Sequence, residues 1–324
     1  HFIMSKVHNF SAGPGILPHE LLQQAADACI NFDDMNLSLL EISHRSKNFE
    51  KTMEEARHTI KELLEVGDEY EVLYLGGGAS LQFAMVPYNL LCENGYAAYV
   101  NTGVWASKAI KEAKLIGNTK VIASSEDKKF TYIPKDFEIP SDADYLHITS
   151  NNTIYGTQMH SFPKTNVPVV CDMSSDIFSR KVNAKDFTLI YAGAQKNMGP
   201  AGSTMVMVKK DALGKTGRKM LSMLDYQVHI KGGSMYNTPP VFSIYVTLLT
   251  LKEALITGLA PLVPLKLTQA RHSVPVCVPL PSLNCGGVPA VLDCTVSTAR
   301  VPYAMSENHP FTARRNGHGD PRRN

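Results

Sequence analysis

The sequence predicts an α/β fold built on a mostly parallel sheet covered on both faces, and three features of its first 253 residues predict it. Short β-branched and aromatic runs alternate with segments of helical periodicity. Small-residue or glycine-bearing turns separate several runs from the helices after them. The polar residues that invite a chemical reading fall at the carboxyl ends of the runs, where ligands collect in open parallel sheets.

Residues 17–30 and 46–65 carry apolar positions at helical spacing. Ser46 opens the second, whose apolar set is Phe49, Met53, Ile60, Leu63 and Leu64 among mixed charges. Residues 71–75 form a strand that runs into the turn Gly76-Gly77-Gly78-Ala79-Ser80, and 81–91 form a helix. The next strand, 97–100, ends at Asn101-Thr102-Gly103-Val104-Trp105, with a helix around 108–116. Strands follow at 120–123, 145–149, 167–171, 188–192 and 203–208.

The chain has 324 residues, 44% hydrophobic and 19% charged, enough for one large α/β domain and a smaller one. A net charge of +2 makes no electrostatic case for nucleic acid or membrane partners. No apolar run approaches the ~18 residues of a membrane span. No secretory signal pattern opens the chain, and His1-Phe2-Ile3 ahead of Met4 reads as added residues. The six cysteines (Cys29, Cys92, Cys171, Cys277, Cys285, Cys294) include no CxxC pair and no zinc-ligand spacing. Reduced thiols in the cytoplasm, with no metal site, are the simplest account.

Composition breaks at residue 254. Residues 254–324 hold nine of the nineteen prolines and three of the six cysteines. They carry three acids against seven Lys and Arg, six of them Arg. This stretch has no amphipathic repeat, and Val274-Pro275-Val276-Cys277-Val278-Pro279 cannot be a central strand because proline removes ladder donors. The last dozen residues read as disordered.

Five strand-end features carry the chemistry. A lysine at the mouth of a buried strand, Lys196, risks desolvation, which lowers its pKa and makes the amine nucleophilic. The bland alternative is a solvated loop lysine. Gly76–Ser80 turns into a helix N-terminus, whose free N–H groups can hold a phosphate; a plain tight turn serves equally. It is not GxGxxG and lacks the acidic ribose partner, which disfavours a dinucleotide. Trp105, the single tryptophan, is either a core anchor or a plate for an aromatic cofactor. Thr153 follows the 145–149 strand. Asp172 directly follows the 167–171 strand, either as a helix N-cap or as the partner of a pyridine nitrogen. Phosphate cup, aromatic plate, acid and lysine on one sheet are the parts that hold pyridoxal 5′-phosphate (PLP).

Asn9-Phe10-Ser11-Ala12-Gly13-Pro14, Glu41-Ile42-Ser43-His44-Arg45-Ser46 and Gly76 to Phe83 carry a family resemblance. So do Asp172-Met173-Ser174-Ser175, Ala194-Gln195-Lys196-Asn197 and Tyr236-Asn237-Thr238-Pro239-Pro240. From about residue 7 to about 252 the chain resembles the phosphoserine aminotransferases, within the fold-type I, class V aminotransferases. That resemblance implies a mixed, mostly parallel sheet of the seven-stranded type in a PLP-binding large domain, 16–253. It implies an N-terminal segment, 1–15, packed with a small domain, and a homodimer with shared active sites. The implied reaction converts 3-phosphohydroxypyruvate and glutamate to phosphoserine and 2-oxoglutarate in serine biosynthesis. The 4-phosphohydroxythreonine reaction of PLP biosynthesis uses the same anion sites.

Carried over by motif, Lys196 would form the Schiff base and shuttle the substrate Cα proton. Trp105 would stack on the ring and Asp172 would pair with its nitrogen. Ala79 and Ser80 would hold the phosphate, and Thr153 and Gln195 would contact the ring oxygen and phosphate region. Asn237 and Thr238 would reach the phosphate across the dimer interface. His44 and Arg45 would bind substrate anions; on its own this pair reads as a polar loop before a helix. Cysteine desulfurases, also class V, expect His before the lysine, where Gln195 stands.

The family pattern departs at the C-terminus. Members continue past a helix at 247–253 into a small α/β domain ending in a glycine-bearing His-Arg motif, and Arg271-His272-Ser273-Val274 has the wrong order. Residues 254–324 are thus expected to be an atypical segment, divergent or frameshifted. The competing expectation for function is a cofactor-binding relative lacking the C-terminal substrate clamp.

Overall fold

The computed structural model describes residues 13–257. Seven strands form one sheet in the order β1-β9-β8-β7-β4-β2-β3, with β1 at Tyr70–Leu75, β2 at Tyr96–Asn101, β3 at Asn118–Ser124 and β4 at Tyr145–Thr149. A two-residue pair, β5 (Asn151–Asn152) and β6 (Thr157–Gln158), makes a small hairpin beyond β4. The main sheet continues with β7 (Val169–Asp172), β8 (Leu189–Gly193) and β9 (Thr204–Lys209). Pairs β2–β3, β2–β4, β4–β7 and β7–β8 are parallel, and β9 runs against both of its neighbours. The expected mixed, mostly parallel seven-stranded sheet is therefore present.

Period-2 alternation sends each strand's side chains to two separate cores. Val72, Tyr74, Val100, Ile148, Cys171, Ile190 and Met207 face one side. There α1 (His19–Ile30), α2 (Lys47–Leu64) and α6 (Val241–Thr257) cover them. Leu73, Tyr99, Tyr145, Val170, Tyr191 and Val206 face the other, under α3 (Gly78–Leu90) and α4 (Val104–Ile116). The short α5 (Tyr226–Lys231) adds Tyr226 to that side.

The local rules explain the element ends. Ser46 caps α2, its hydroxyl accepting from the Phe49 N–H, and Glu65 closes the helix in the left-handed conformation. The 167–171 strand begins instead at Val169, because Pro168 lacks an N–H; its carbonyl still accepts from Leu146 at 2.8 Å. Asp172 is the strand's last residue rather than the one after it.

The helix expected over 247–253 runs from Val241 to Thr257, so the boundary at 253/254 falls inside α6. Its buried face continues through Leu251 to Ala254, which composition statistics beginning at 254 concealed. The other expectations for 254–324, including Cys277, Cys285, Cys294 and the Arg271–Val274 segment, lie outside the described residues beyond Thr257.

Glu71 ties α2 to β1. Its carboxylate takes Arg57 Nη2 at 2.7 Å and Lys210 Nζ at 3.1 Å, while Arg57 Nε donates to the Val72 carbonyl at 2.9 Å. Burial pushes the Glu71 carboxyl up, but Lys210 and Arg57 outweigh it and hold it below its ordinary value. A depressed folded-state pKa contributes stability above the unfolded value and loses it as pH falls through the folded one. Glu71→Gln is thus expected to destabilise the chain at neutral pH by roughly 1–2 kcal/mol, between exposed and buried pairs. In acid, thermal melts of the variant and parent should converge; an equal deficit at all pH values would refute the charge account.

Candidate active site

The carboxyl ends of β2, β4, β7 and β8 open on one edge of the sheet, and the N-terminus of α3 points to the same place. A cavity of about 140 Å³ lies there. Ala79, Ser80, Trp105, Asp172, Gln195 and Lys196 all line it. Three larger hollows, of about 480, 500 and 320 Å³, are lined at 133–164, between α1, α2 and α6, and at 214–227 with Asn89. None of them sets a buried acid beside a lysine withdrawn from solvent.

Lys196 sits in the 194–203 connection between β8 and β9, which a pair of bonds folds tightly: the Met198 and Gly199 N–H groups both donate to the Ala194 carbonyl. Gly199 backs directly on α6, where an added Cβ would stand 3.1 Å from the Thr247 Cα. From the other side the Gly15 N–H donates to the Gln195 carbonyl at 3.0 Å. The N-terminal segment expected to pack with a small domain thus contacts the lysine loop; residues 1–12 lie outside the described residues. Burial lowers the Lys196 pKa, and Asp172 and Asp176 partly restore it. The net direction favours the neutral, nucleophilic amine.

Asp172 is 5% exposed. Burial raises its pKa, while bonds from Ser174 and the charge of Lys196 pull it back and Asp176 pushes it up again. Oδ1 accepts the Ser174 N–H at 2.9 Å and the Ser174 hydroxyl at 2.6 Å. This is a turn closed by its own side chain rather than a helix N-cap, since no helix follows. The Ser174 oxygen also accepts the Gly193 N–H at 3.2 Å, tying the ends of β7 and β8 together.

Ala79 and Ser80 belong to the first turn of α3 rather than to a turn before it. Gly77 takes a left-handed conformation (φ 84°) as the cap residue, and the first intrahelical bond is Leu81 N–H to the Gly77 carbonyl. The N–H groups of Gly78, Ala79 and Ser80 therefore lack helical acceptors and suit an anion. Trp105 likewise lies in the first turn of α4, with Lys196 Nζ 5.5 Å and Lys108 Nζ 4.7 Å from its ring centroid.

The residues fit the group that the sequence suggested. The indole N–H of Trp105 and the hydroxyl of Thr149 are buried without a partner. Both residues line the cavity, as do the α3 N-terminus, Asp172 and Lys196. A flat ring bearing a basic nitrogen, a phosphate and a carbonyl would satisfy the set.

Other expected residues stand elsewhere. Thr153 is half-buried in the β5–β6 turn and does not line the cavity. The hairpin carries it away, with Gly156 N–H bonded to the Asn152 carbonyl at 2.8 Å, and Asn151 lines the cavity in its place. His44 is half-buried and Arg45 exposed before α2, and neither lines the cavity. Asn237 and Thr238 are exposed beyond α5, also outside the lining. Sequence reasoning missed Phe83, Thr149, Ser174 and Ser175 as lining residues. The hydroxyl two residues after a strand-end Asp was the available signal for Ser174.

The Aminotransferase class-V family model matches residues 7–259. The chain is 64% identical over 248 residues to the phosphoserine aminotransferase of Flavobacterium psychrophilum, covering 76% of this chain and 70% of that one. Identity to the corresponding Porphyromonas gingivalis protein is 57% over 252 residues, covering 76% and 69%. Among solved structures, the phosphoserine aminotransferase from Bacillus circulans subsp. alkalophilus superposes with a TM-score of 0.76 at 45% identity, over 79% of this chain and 72% of that one. The PLP-bound enzyme of Trichomonas vaginalis superposes with a TM-score of 0.75 at 33% identity, over 81% and 74%.

Proposed function

Since the chain belongs to the class-V aminotransferase family, PLP-dependent enzymes, we propose that it transfers an amino group between glutamate and 3-phosphohydroxypyruvate, giving phosphoserine and 2-oxoglutarate. The observation that carries this reading is that buried Asp172 and half-buried Lys196 line one cavity with Trp105 and the α3 N-terminus. The 4-phosphohydroxythreonine reaction falls within the same proposal, because its substrate presents the same anions.

When bound, PLP supplies an electron sink for charge released at the substrate Cα. The chain's own residues do the rest. The N–H groups of Ala79 and Ser80, with the Ser80 hydroxyl, bind the phosphate. Asp172, oriented by Ser174, holds a positive charge at the ring nitrogen. The Trp105 indole would cover the ring and Gln195 would address its polar edge, where Asn151 rather than Thr153 lines the cavity. Lys196 Nζ, its pKa lowered by burial, takes the Cα proton and delivers it again. His44 and Arg45 bind substrate anions.

Asn237 and Thr238 are read as reaching the phosphate site of a second copy, and their exposure supports this. Co-expressed Lys196→Ala and Asn237→Ala chains should then regain activity that neither shows alone. Failure of mixed chains to exceed the separate variants would remove the shared site.

The direct test mixes purified, PLP-loaded chain with phosphoserine and 2-oxoglutarate and follows glutamate. Turnover supports the reading. Cofactor bound without turnover favours the competing reading, in which residues 254–324 lack the substrate clamp. No described helix is long and apolar enough to cross a membrane.

A further inference from the structure

Directly under the cavity floor is a buried pair that the reaction above does not use. His147 of β4 is 1% exposed, and its Nε2 lies 2.9 Å from the Tyr191 hydroxyl of β8. The strand between them is β7, where His147 is the register partner of Val170 and Tyr191 that of Asp172. The pair therefore bridges over Val170, one step below the Asp172 carboxylate and on the same sheet face. Tyr99 stacks on the imidazole with ring centroids 4.9 Å apart, and its hydroxyl meets that of Tyr145 at 2.8 Å. Tyr191 meets Phe83, a cavity-lining residue, edge to face at 6.3 Å.

A polar pair in this place has a cost. The imidazole Nδ1 is buried without a partner. Packing alone would be served by an apolar residue, since an unpaired buried polar atom is destabilising. The hydroxyl–imidazole bond holds the ring of Tyr191, the residue in register with Asp172 on the neighbouring strand.

We propose that His147 and Tyr191 are positioning residues for Asp172, acting as one hydrogen-bonded unit that sets where its carboxylate stands and how it meets a ring nitrogen. This rests on the reading of Asp172 as the partner of the cofactor nitrogen. The unit is uncharged: burial pushes the imidazole down to about 3 and the Tyr191 phenol far up. Tyr99, Tyr145, Cys171, Tyr226 and Asp172 are the titratable groups around it, and burial holds the phenols and the thiol in their neutral forms. Lys196 and Asp176 are the remaining charges that act on Asp172. No cation lies in this set below Asp172, so its charge is answered only from the cavity side.

The test compares His147→Phe, His147→Gln, Tyr191→Phe and the His147→Phe/Tyr191→Phe double variant, all loaded with PLP. The readouts are the pH midpoint of the bound cofactor's visible absorbance, kcat and KM for phosphoserine, and the thermal melt of the cofactor-free chain. Each Phe variant should move the midpoint in the same direction by about half a unit. Each should lower kcat about tenfold, with KM held within about twofold. The double variant should be no worse than either single one, and His147→Gln should return toward the parent. A lowered melt with midpoint and kcat unchanged would overturn the proposal, as would additive losses. Should His147→Phe not fold, Tyr191→Phe decides alone, since it removes a single oxygen. Asp172→Asn separates the layers. If that variant leaves the absorbance midpoint unmoved, the reading of Asp172 fails; if Asp172→Asn moves it and the Tyr191 variant does not, only this inference fails.

Discussion

Lys196→Ala is expected to leave transamination at least about 10³-fold below the parent, because it removes both a nucleophile and a proton carrier. Borohydride treatment of the PLP-loaded parent should attach the cofactor to the chain at Lys196, and mass spectrometry of the variant should find no such attachment. Lys196→Arg sharpens the result. A guanidinium keeps the positive charge near Asp172 but stays protonated and is a poor nucleophile. If charge neutralisation of Asp172 and Asp176 were the lysine's main service, Arg would restore activity. The proposal expects Arg to be as inactive as Ala. The lowered lysine pKa gives the physical ground: burial outweighs two nearby acids, so the amine is held toward its neutral form. Substantial turnover in either variant, or cofactor attachment at another residue, would end the assignment.

The sheet was legible because six of its seven strands, all but the edge strand β3, are buried on both faces and read as near-continuous apolar runs. The runs at 145–149 and 188–192 lie within a residue or so of β4 and β8. Helix starts were less legible. Gly77 and Gly103 precede α3 and α4, and a glycine-rich string reads as loop although the helix begins one residue after each glycine. This is why Ala79, Ser80 and Trp105 were placed in turns. Helix α6 is apolar nearly all round, so it lacks the one-sided stripe that marks a surface helix. The hairpin at 151–158 has two-residue strands, too short for any periodic signal. Of the site, Asp172, Lys196 and the first turns of α3 and α4 were found, because topology brings strand ends and helix starts together, whereas Thr149 at the end of β4 was missed. His147 was not singled out. Its meaning depends on reaching over β7 to Tyr191, a partner 44 positions away, and no spacing rule links the two.

Asp172→Asn should reduce kcat by roughly 10²–10³-fold, the range typical of losing one preorganised electrostatic partner. Asparagine has nearly the same shape and can still accept from the Ser174 N–H, so the fold and the Ser174 turn should persist. What disappears is the charge, and its loss has a second, independent consequence. Asp172 is the first of two acids that favour the charged form of Lys196 against burial. Without it only Asp176 opposes desolvation, so the Lys196 pKa falls further. A lysine is reactive as the free amine, above its pKa. Acylation of Lys196 in the cofactor-free chain, followed by peptide mass spectrometry across pH, should therefore have its midpoint at lower pH in Asp172→Asn than in the parent. Asp176→Asn should move the midpoint the same way but less, as the weaker of the two charges. The direction is what decides. A midpoint that rises, or a shift larger for Asp176→Asn, would mean that the acid beside the lysine is not Asp172, and the pairing on which the proposed chemistry depends would be lost.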